Sequence, residues 1–107
     1  MIDDETKNKA LEAISFHPLK IEANRWEYCV SDVFKWSKQM LGKAKMSDEE
    51  KRRLESSLAD TEEVLIVVYH TAEKKPEPLS GSGKSYNFVI HPISYKLLLS
   101  EAGTWRS

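Results

Sequence analysis

The sequence predicts an α+β fold in which N-terminal helices pack on a curved antiparallel sheet of three or four C-terminal strands. Two observations lead to this expectation. Apolar residues recur at helical spacing through the first half of the chain, whereas a continuous β-branched run begins at Val64 and is followed by two shorter apolar segments. Helices that precede an antiparallel meander are typical of the α+β class. A length of 107 residues fits one domain, residues 1–107.

The first predicted element is a short helix over residues 3–15. Acidic residues at its start can cap it, and its apolar stripe is thin. The helix ends at His17, because a residue before proline is steered away from the helical region. Residues 19–24 alternate apolar and polar side chains, which leaves open a short edge strand or an extended crossing segment.

The central predicted element is a helix of about residues 25–41. At about 100° per residue its apolar side chains fall within an arc of roughly 160°, wider than the stripe of about 100° that a surface helix needs. Asn24 can act as the N-cap, and Gly42 suits the left-handed position after the last turn. We therefore expect the sheet to clasp this helix, with Trp26 and Trp36 turned into the core.

A third helix is predicted from Asp48 to about Ala59, after a linker at residues 43–46. Ser47 and Glu50 are three residues apart, which is the spacing of a capping box. Most of the remaining side chains in this segment are charged. We expect this helix to lie on the surface.

Three strands follow the helices. The first has no alternation of apolar and polar residues, which indicates cover on both faces, and the second and third are separated by a short turn. The predicted strands, connections and tail are, in chain order, strand Val64–His70, polar connector Thr71–Lys84, strand Ser85–His91, turn Pro92–Ser94, strand Tyr95–Ser100 and polar end Glu101–Ser107.

The charge balance excludes some classes of partner. The chain has 16 basic and 17 acidic side chains and a net charge of −1, whereas nucleic-acid binders and polybasic membrane anchors show a basic excess. We expect no leader in the first twenty residues, which are acidic and lack a long apolar run, and no membrane span. A single cysteine forms no internal disulfide, so a cytoplasmic location is expected.

Three patterns resemble reactive sites, and each has a stronger structural explanation. Residues 81–85, Gly-Ser-Gly-Lys-Ser, look like the end of a phosphate-binding loop, but position 78 is proline and a strand follows rather than a helix. Cys29 lies in the apolar arc of the predicted central helix, where burial quenches a thiol. The histidines match no zinc-ligand spacing; they are His17, His70 and His91. We therefore expect no catalytic residue, no metal and no cofactor.

Acidic residues on both sides of the third helix suggest a docking surface for a basic protein, since complementary charge speeds encounter. The alternative is that these acids only cap the helix and solvate its flanks. Trp105 is either a late core residue or an exposed anchor for a partner. The residues predicted to bind a partner are Glu49, Glu50, Asp60, Glu62, Glu63 and Trp105.

The C-terminal third resembles the sheet of cystatin-like and NTF2-like small proteins, including small bacterial NTF2-fold immunity proteins. The similarity is in the run Val64–Tyr69, a loop with glycines, and the segments Tyr86–Pro92 and Tyr95–Leu98. The acid and glycine that usually mark the last turn of those proteins are replaced here by residues 91–94, His-Pro-Ile-Ser. The resemblance implies a sheet that cradles a helix and a toxin-neutralising or inhibitor role, and it assigns no functional residue.

We therefore expect a small, non-catalytic binding module, an immunity or inhibitor protein that occludes the active site of a toxin or enzyme. The partner is another protein, with no role for nucleic acid or membrane, and a homo-oligomer remains open. The alternative is an NTF2-like small-molecule binder or minor enzyme. That alternative requires a pocket between the central helix and the sheet, lined by Tyr69, Tyr86 or Phe88.

Overall fold

The computed structural model describes residues 2–41, 47–73 and 82–106 and shows an α+β fold. Four helices and four strands lie within these ranges. In chain order they are α1 Asp4–Ala13, α2 Pro18–Ala23, β1 Tyr28–Ser37, α3 Lys38–Leu41, α4 Asp48–Ser57, β2 Glu63–Ala72, β3 Ser82–Ile90 and β4 Leu97–Arg106.

The four strands form one antiparallel sheet in the order β1-β2-β3-β4. All ten residues of β1 pair with all ten of β2, so that Val33 lies opposite Val67. The row continues through Phe88 in β3 to Ser100 in β4. The β3–β4 register shifts once, next to Ile90. Consecutive strands are therefore neighbours throughout this meander.

The predicted central helix over residues 25–41 is wrong, because residues 28–37 form strand β1. Six of these ten residues are aromatic, valine or cysteine, and such side chains favour a pleated surface packed against a neighbouring strand. A strand with apolar side chains on both faces projects onto a helical wheel as an unusually wide apolar arc. Pairing with β2 over its full length decides the conformation, as tertiary context overrides a helical pattern.

Residues 18–23 are helix α2 rather than the predicted edge strand or crossing segment. His17 is the N-cap, and its ring nitrogen Nδ1 accepts a hydrogen bond from the Leu19 N–H at 3.1 Å. Pro18 occupies the first helical position, where a missing N–H costs nothing and the fixed φ is favourable. Asn24, which the sequence suggested as an N-cap, is the C-cap of α2.

The first and third predicted helices are confirmed as α1 and α4. Asp3 caps α1, and Ser47 with Glu50 forms the predicted capping box of α4. Strands β2 and β3 are also confirmed, and both extend into the predicted connector, since β2 continues through Ala72 and β3 begins at Ser82. Strand β4 begins at Leu97, two residues later than predicted, and pairing with β3 extends it through residues 101–106, which were predicted to be a polar end. The predicted C-cap at Gly42, the linker at 43–46 and residues 74–81 of the connector lie outside the described residues.

The sheet has apolar side chains on both faces, and helices cover each face. The first core lies between one face and helices α1 and α2; its buried members are Ala10, Ile14, Ala23, Val33, Leu65, Val67, Tyr69, Tyr86, Phe88 and Ile90. The second lies between the other face and α4; its buried members are Leu54, Leu58, Val64, Ile66 and Val89. Central strand β2 contributes to both cores, which explains its continuous apolar sequence.

Among the described helices, none has the length and apolar character that a bilayer crossing requires.

Two valines of β1 distinguish the observed strand from the predicted helix. Val33 is 6% exposed in the first core, whereas Val30 is 43% exposed, although both belong to the apolar arc of the helical pattern. We expect Val33→Ala to lower the free energy of unfolding by roughly 1.5–3 kcal/mol, through lost burial and a cavity. Val30→Ala should cost under about 1 kcal/mol, mainly through lower strand propensity. Urea unfolding measures both, and equal large losses would contradict the strand.

Candidate functional site

His91 and Asp60 join two connections at one end of the sheet. The His91 ring is buried, and its Nδ1 accepts hydrogen bonds from the N–H groups of Ile93 (3.1 Å) and Ser94 (3.2 Å). The ring proton therefore lies on Nε2, which is 3.0 Å from Asp60 Oδ1 and donates to it. This hydrogen bond ties the turn between β3 and β4 to the segment between α4 and β2.

The carboxylate of Asp60 remains accessible despite this contact. Its side chain is 67% exposed. The hydrogen bond from His91 lowers the pKa of Asp60, and the positive charge of Lys38 acts in the same direction. The same acid can therefore hold the turn in place and present negative charge to solvent.

Lys38 links the end of β1 to the same segment. Its backbone N–H donates to the Glu62 carbonyl at 3.0 Å, and its Nζ donates to the Leu58 carbonyl at 3.1 Å. Ser37 pairs with Glu63 at the first position of β2. The residues around Lys38 and the acidic residues at 60–63 therefore lie together at one end of the sheet.

Two large apolar side chains are exposed at this end. Trp36 is 37% exposed on β1, and Met40 is 39% exposed on α3. We call Trp36, Met40, Asp60 and Glu62 the Trp36 patch. Glu63 lies next to it, but strand alternation turns its side chain to the opposite face from Trp36. A tryptophan and a methionine beside carboxylates combine an apolar contact area with a charged margin, as protein-binding surfaces do.

The expectation that both tryptophans lie in the core fits one of them. Trp26 is partly buried against the first core, and its Nε1–H donates to the Tyr86 hydroxyl at 3.1 Å. Trp36 lies on the edge strand β1 and is 37% exposed. The sequence signal for this difference is weak, since both indoles belong to the same apolar arc.

The structure brings together only part of the predicted partner-binding set. Asp60 and Glu62 lie between α4 and β2, and Glu63 is the first residue of β2. Glu49 and Glu50 are in the first turn of α4, about 15 Å away along a ten-residue helix. Glu50 is also engaged in the capping box with Ser47. The two acidic groups therefore lie at opposite ends of α4.

Trp105 lies at the opposite end of the sheet from the Trp36 patch. Trp105 pairs with Gly83 at the start of β3, which is next to the last residue of β2, Ala72. The patch lies at the other end of β2, near Glu63, nine residues away. The separation is about 30 Å at the usual rise of a strand. The side chain of Trp105 is outside what the structure describes, so only its backbone position is assigned.

The histidines have separate positions and roles. His17 caps α2, and its Nε2 lies 3.2 Å from Ser100 Oγ on β4. His70 lies opposite Ser85, whereas His91 follows the far end of β3, roughly 20 Å along the sheet. Across residues 2–41, 47–73 and 82–106, no three His, Cys, Asp or Glu side chains are arranged to hold a metal ion.

The two other patterns noted in the sequence belong to strands. Residues 82–85 of the glycine-rich segment form the beginning of β3, so the prediction that the polar connector runs through Lys84 is wrong at this end. Cys29 is half-buried on β1, and burial raises the pKa of its thiol. A raised pKa lowers the thiolate fraction at neutral pH and with it the reactivity of the sulfur.

The aromatic residues expected to line a pocket are packed in the first core. Tyr86 and Phe88 are fully buried, and the ring of Tyr69 meets Phe88 edge to face with centroids 6.2 Å apart. Burial raises the pKa values of the Tyr86 and Tyr69 hydroxyls. Residues 28–41 form β1 and short α3 instead of the helix that was to be the other wall of the pocket, so these residues do not form that wall.

A search of family models, curated proteins and solved structures finds no match to this chain. The resemblance to cystatin-like and NTF2-like proteins stays a prediction.

Replacing Asp60 tests the hydrogen bond to His91 through its pH dependence. Because the pKa of Asp60 is lowered in the folded protein, its contribution to stability is present above the ordinary aspartate value of about 4 and is lost as the pH falls through the lowered pKa. We expect Asp60→Asn to lower the melting temperature at pH 7, with the difference from wild type shrinking below about pH 4.

The control is His91→Ala, in which the donor is missing. In that background Asp60→Asn should have a much smaller effect at pH 7, because residues that share a hydrogen bond are energetically coupled. Additive effects of the two substitutions, measured by thermal unfolding, would contradict this role of the pair.

Proposed function

We propose that the protein is a small, non-catalytic binding module of the immunity or inhibitor type, which acts by covering the active site of a basic toxin or enzyme. The observation that carries the proposal is the exposure of Trp36, on the edge strand β1, and of Met40, four residues later on α3. Tryptophan dominates the binding energy of protein interfaces, because a large rigid side chain loses little conformational freedom when a partner buries it.

The fixed position of the patch supports this function. Trp36 lies on a strand that pairs with β2 along its whole length, and Lys38 is hydrogen-bonded through both its backbone and its side chain. The patch is thus held in one geometry before binding. Less conformational entropy is lost when a preorganised surface meets its partner, which favours affinity.

The acidic residues next to Trp36 indicate the charge of the partner. Asp60 and Glu62 are exposed, and Glu63 adds a third carboxylate at the same end of the sheet. Lys38 offsets one of these charges. The remaining negative charge favours a partner with a basic surface and speeds its approach at low ionic strength. A basic active-site cleft, such as that of an enzyme acting on nucleic acid, has this character.

A protein of this kind acts in the compartment of its target. We place it in the cytoplasm, where a single unpaired cysteine is stable. Trp36 is the aromatic anchor, and Asp60 and Glu62 form its acidic margin, whereas Glu63 lies at the same end of the sheet on the opposite face. Glu49, Glu50 and Trp105 lie outside the Trp36 patch.

Substitution of Trp36 tests the proposal directly. Tagged wild-type protein should capture a protein partner from a lysate of its native host at low salt. We expect Trp36→Ala to weaken binding to that partner about 30-fold or more, which corresponds to loss of roughly 2 kcal/mol at an interface hot spot. Ile21→Ala is the matched control, because Ile21 is 44% exposed on α2, which packs on the other face of the sheet.

The partner must also be inhibited when wild-type protein binds, and the inhibition must decline with Trp36→Ala. Capture that is unchanged by Trp36→Ala would contradict the proposed site. Recovery of no protein partner at low salt, or a partner whose activity is unaffected, would contradict the proposed function.

A further inference from the structure

The outer edge of β1 is the basis of a second inference. Within the described residues, β1 has one neighbouring strand, β2, and the ten pairs between them contain no bulge. The Lys38 N–H donates to Glu62 on the β2 side. Since backbone N–H groups alternate in direction along a strand, those of even-numbered residues face β2 and those of odd-numbered residues face away from the sheet.

One of these outward N–H groups is covered by a side chain. The Val33 N–H donates to Asp32 Oδ1 at 2.9 Å. Val33 is close to the middle of β1, which runs from Tyr28 to Ser37. An incoming strand needs this donor at the centre of its hydrogen-bond ladder, and it must first displace the Asp32 carboxylate.

A second copy of β1 is the natural occupant of this edge. Two-fold symmetry about an axis perpendicular to the sheet pairs the strand with itself in antiparallel orientation and continues the sheet from four strands to eight. Both copies then present the same faces on the same sides, so a residue can only oppose a residue of its own face. This requirement restricts the two registers with the fullest overlap to those centred on residue 32 or residue 33.

Asp32 opposes both registers electrostatically. In the register centred on residue 32, the two Asp32 carboxylates lie directly opposite each other. In the register centred on residue 33, the two Asp32 carboxylates are diagonal neighbours on the same face of the sheet. Like charges at directly opposed positions destabilise a strand pair, and diagonal neighbours remain within reach of each other. Charged residues on edge strands are a common defence against edge-to-edge association.

We propose that the outer edge of β1 is a self-association surface for a second copy of this chain and that Asp32 holds it closed. The carboxylate does so in two ways: it occupies the Val33 N–H, and it repels its counterpart in the fullest registers. The remainder of the edge has the length and regularity that strand addition requires.

The test is the oligomeric state of Asp32→Ala, measured by sedimentation equilibrium. We expect the apparent dimer dissociation constant to fall at least tenfold relative to wild type. Glu12→Ala is the matched control, because Glu12 is an exposed acid on helix α1, outside both edge strands, and its removal changes the net charge equally. It should associate as wild type does.

A second substitution locates the interface. Ser31 is exposed and has an outward N–H by the same alternation, so Ser31→Pro removes an edge donor without breaking a bond to β2. The double variant Asp32→Ala/Ser31→Pro should return to the dissociation constant of wild type, with an unchanged circular dichroism spectrum for every variant.

Two results would overturn the proposal. The first is an Asp32→Ala protein that retains its fold and associates no more than wild type. The second is association of Asp32→Ala that Ser31→Pro does not reverse or that Glu12→Ala reproduces. Either result would place the contact elsewhere or make it an effect of net charge alone.

Discussion

The pairing of β1 with β2 is the constraint on which the rest of the structure depends. Ten consecutive pairs fix residues 28–37 as a strand and leave β2 in the interior of the sheet, where both of its faces are buried. Helices α1 and α2 then cover one face and α4 covers part of the other. The same pairing places Trp36 at an edge rather than in the core. Without it, neither the Trp36 patch nor the guarded edge at Asp32 would exist.

Local signals in the sequence were sufficient for the elements that carry strong start signals or a continuous apolar run. The capping box at Ser47 marks the beginning of α4, and the apolar run from Val64 marks β2 as a strand covered on both faces. These features depend on neighbours in the sequence or on burial alone. The α+β class follows from them.

The conformation of residues 28–37 was not predictable from the same local rules. The spacing of its apolar residues fits both one side of an amphipathic helix and a strand with apolar side chains on both faces. Long-range pairing with β2 decides between these two conformations. The width of the arc and the content of valine and aromatic residues were the available signals for a strand. Residues 18–23 were predicted to be extended but form helix α2. The sequence His17-Pro18 indicated only the end of the first helix, whereas it also begins the second. In the candidate site, the acidic residues Asp60, Glu62 and Glu63 could be singled out from the sequence. The exposure of Trp36 could not, because it depends on which strand lies at the edge of the sheet.

Nuclear Overhauser effects on β1 test the strand pairing most directly. Because the N–H groups of odd-numbered residues in β1 face outward, Val33 and Val67 form a non-hydrogen-bonded pair, in which the two Cα atoms are about 4.5 Å apart. The structure predicts a strong contact between the Hα protons of Val33 and Val67. Its absence, together with contacts between residues three apart within 28–37, would show a helix in this segment and contradict the account.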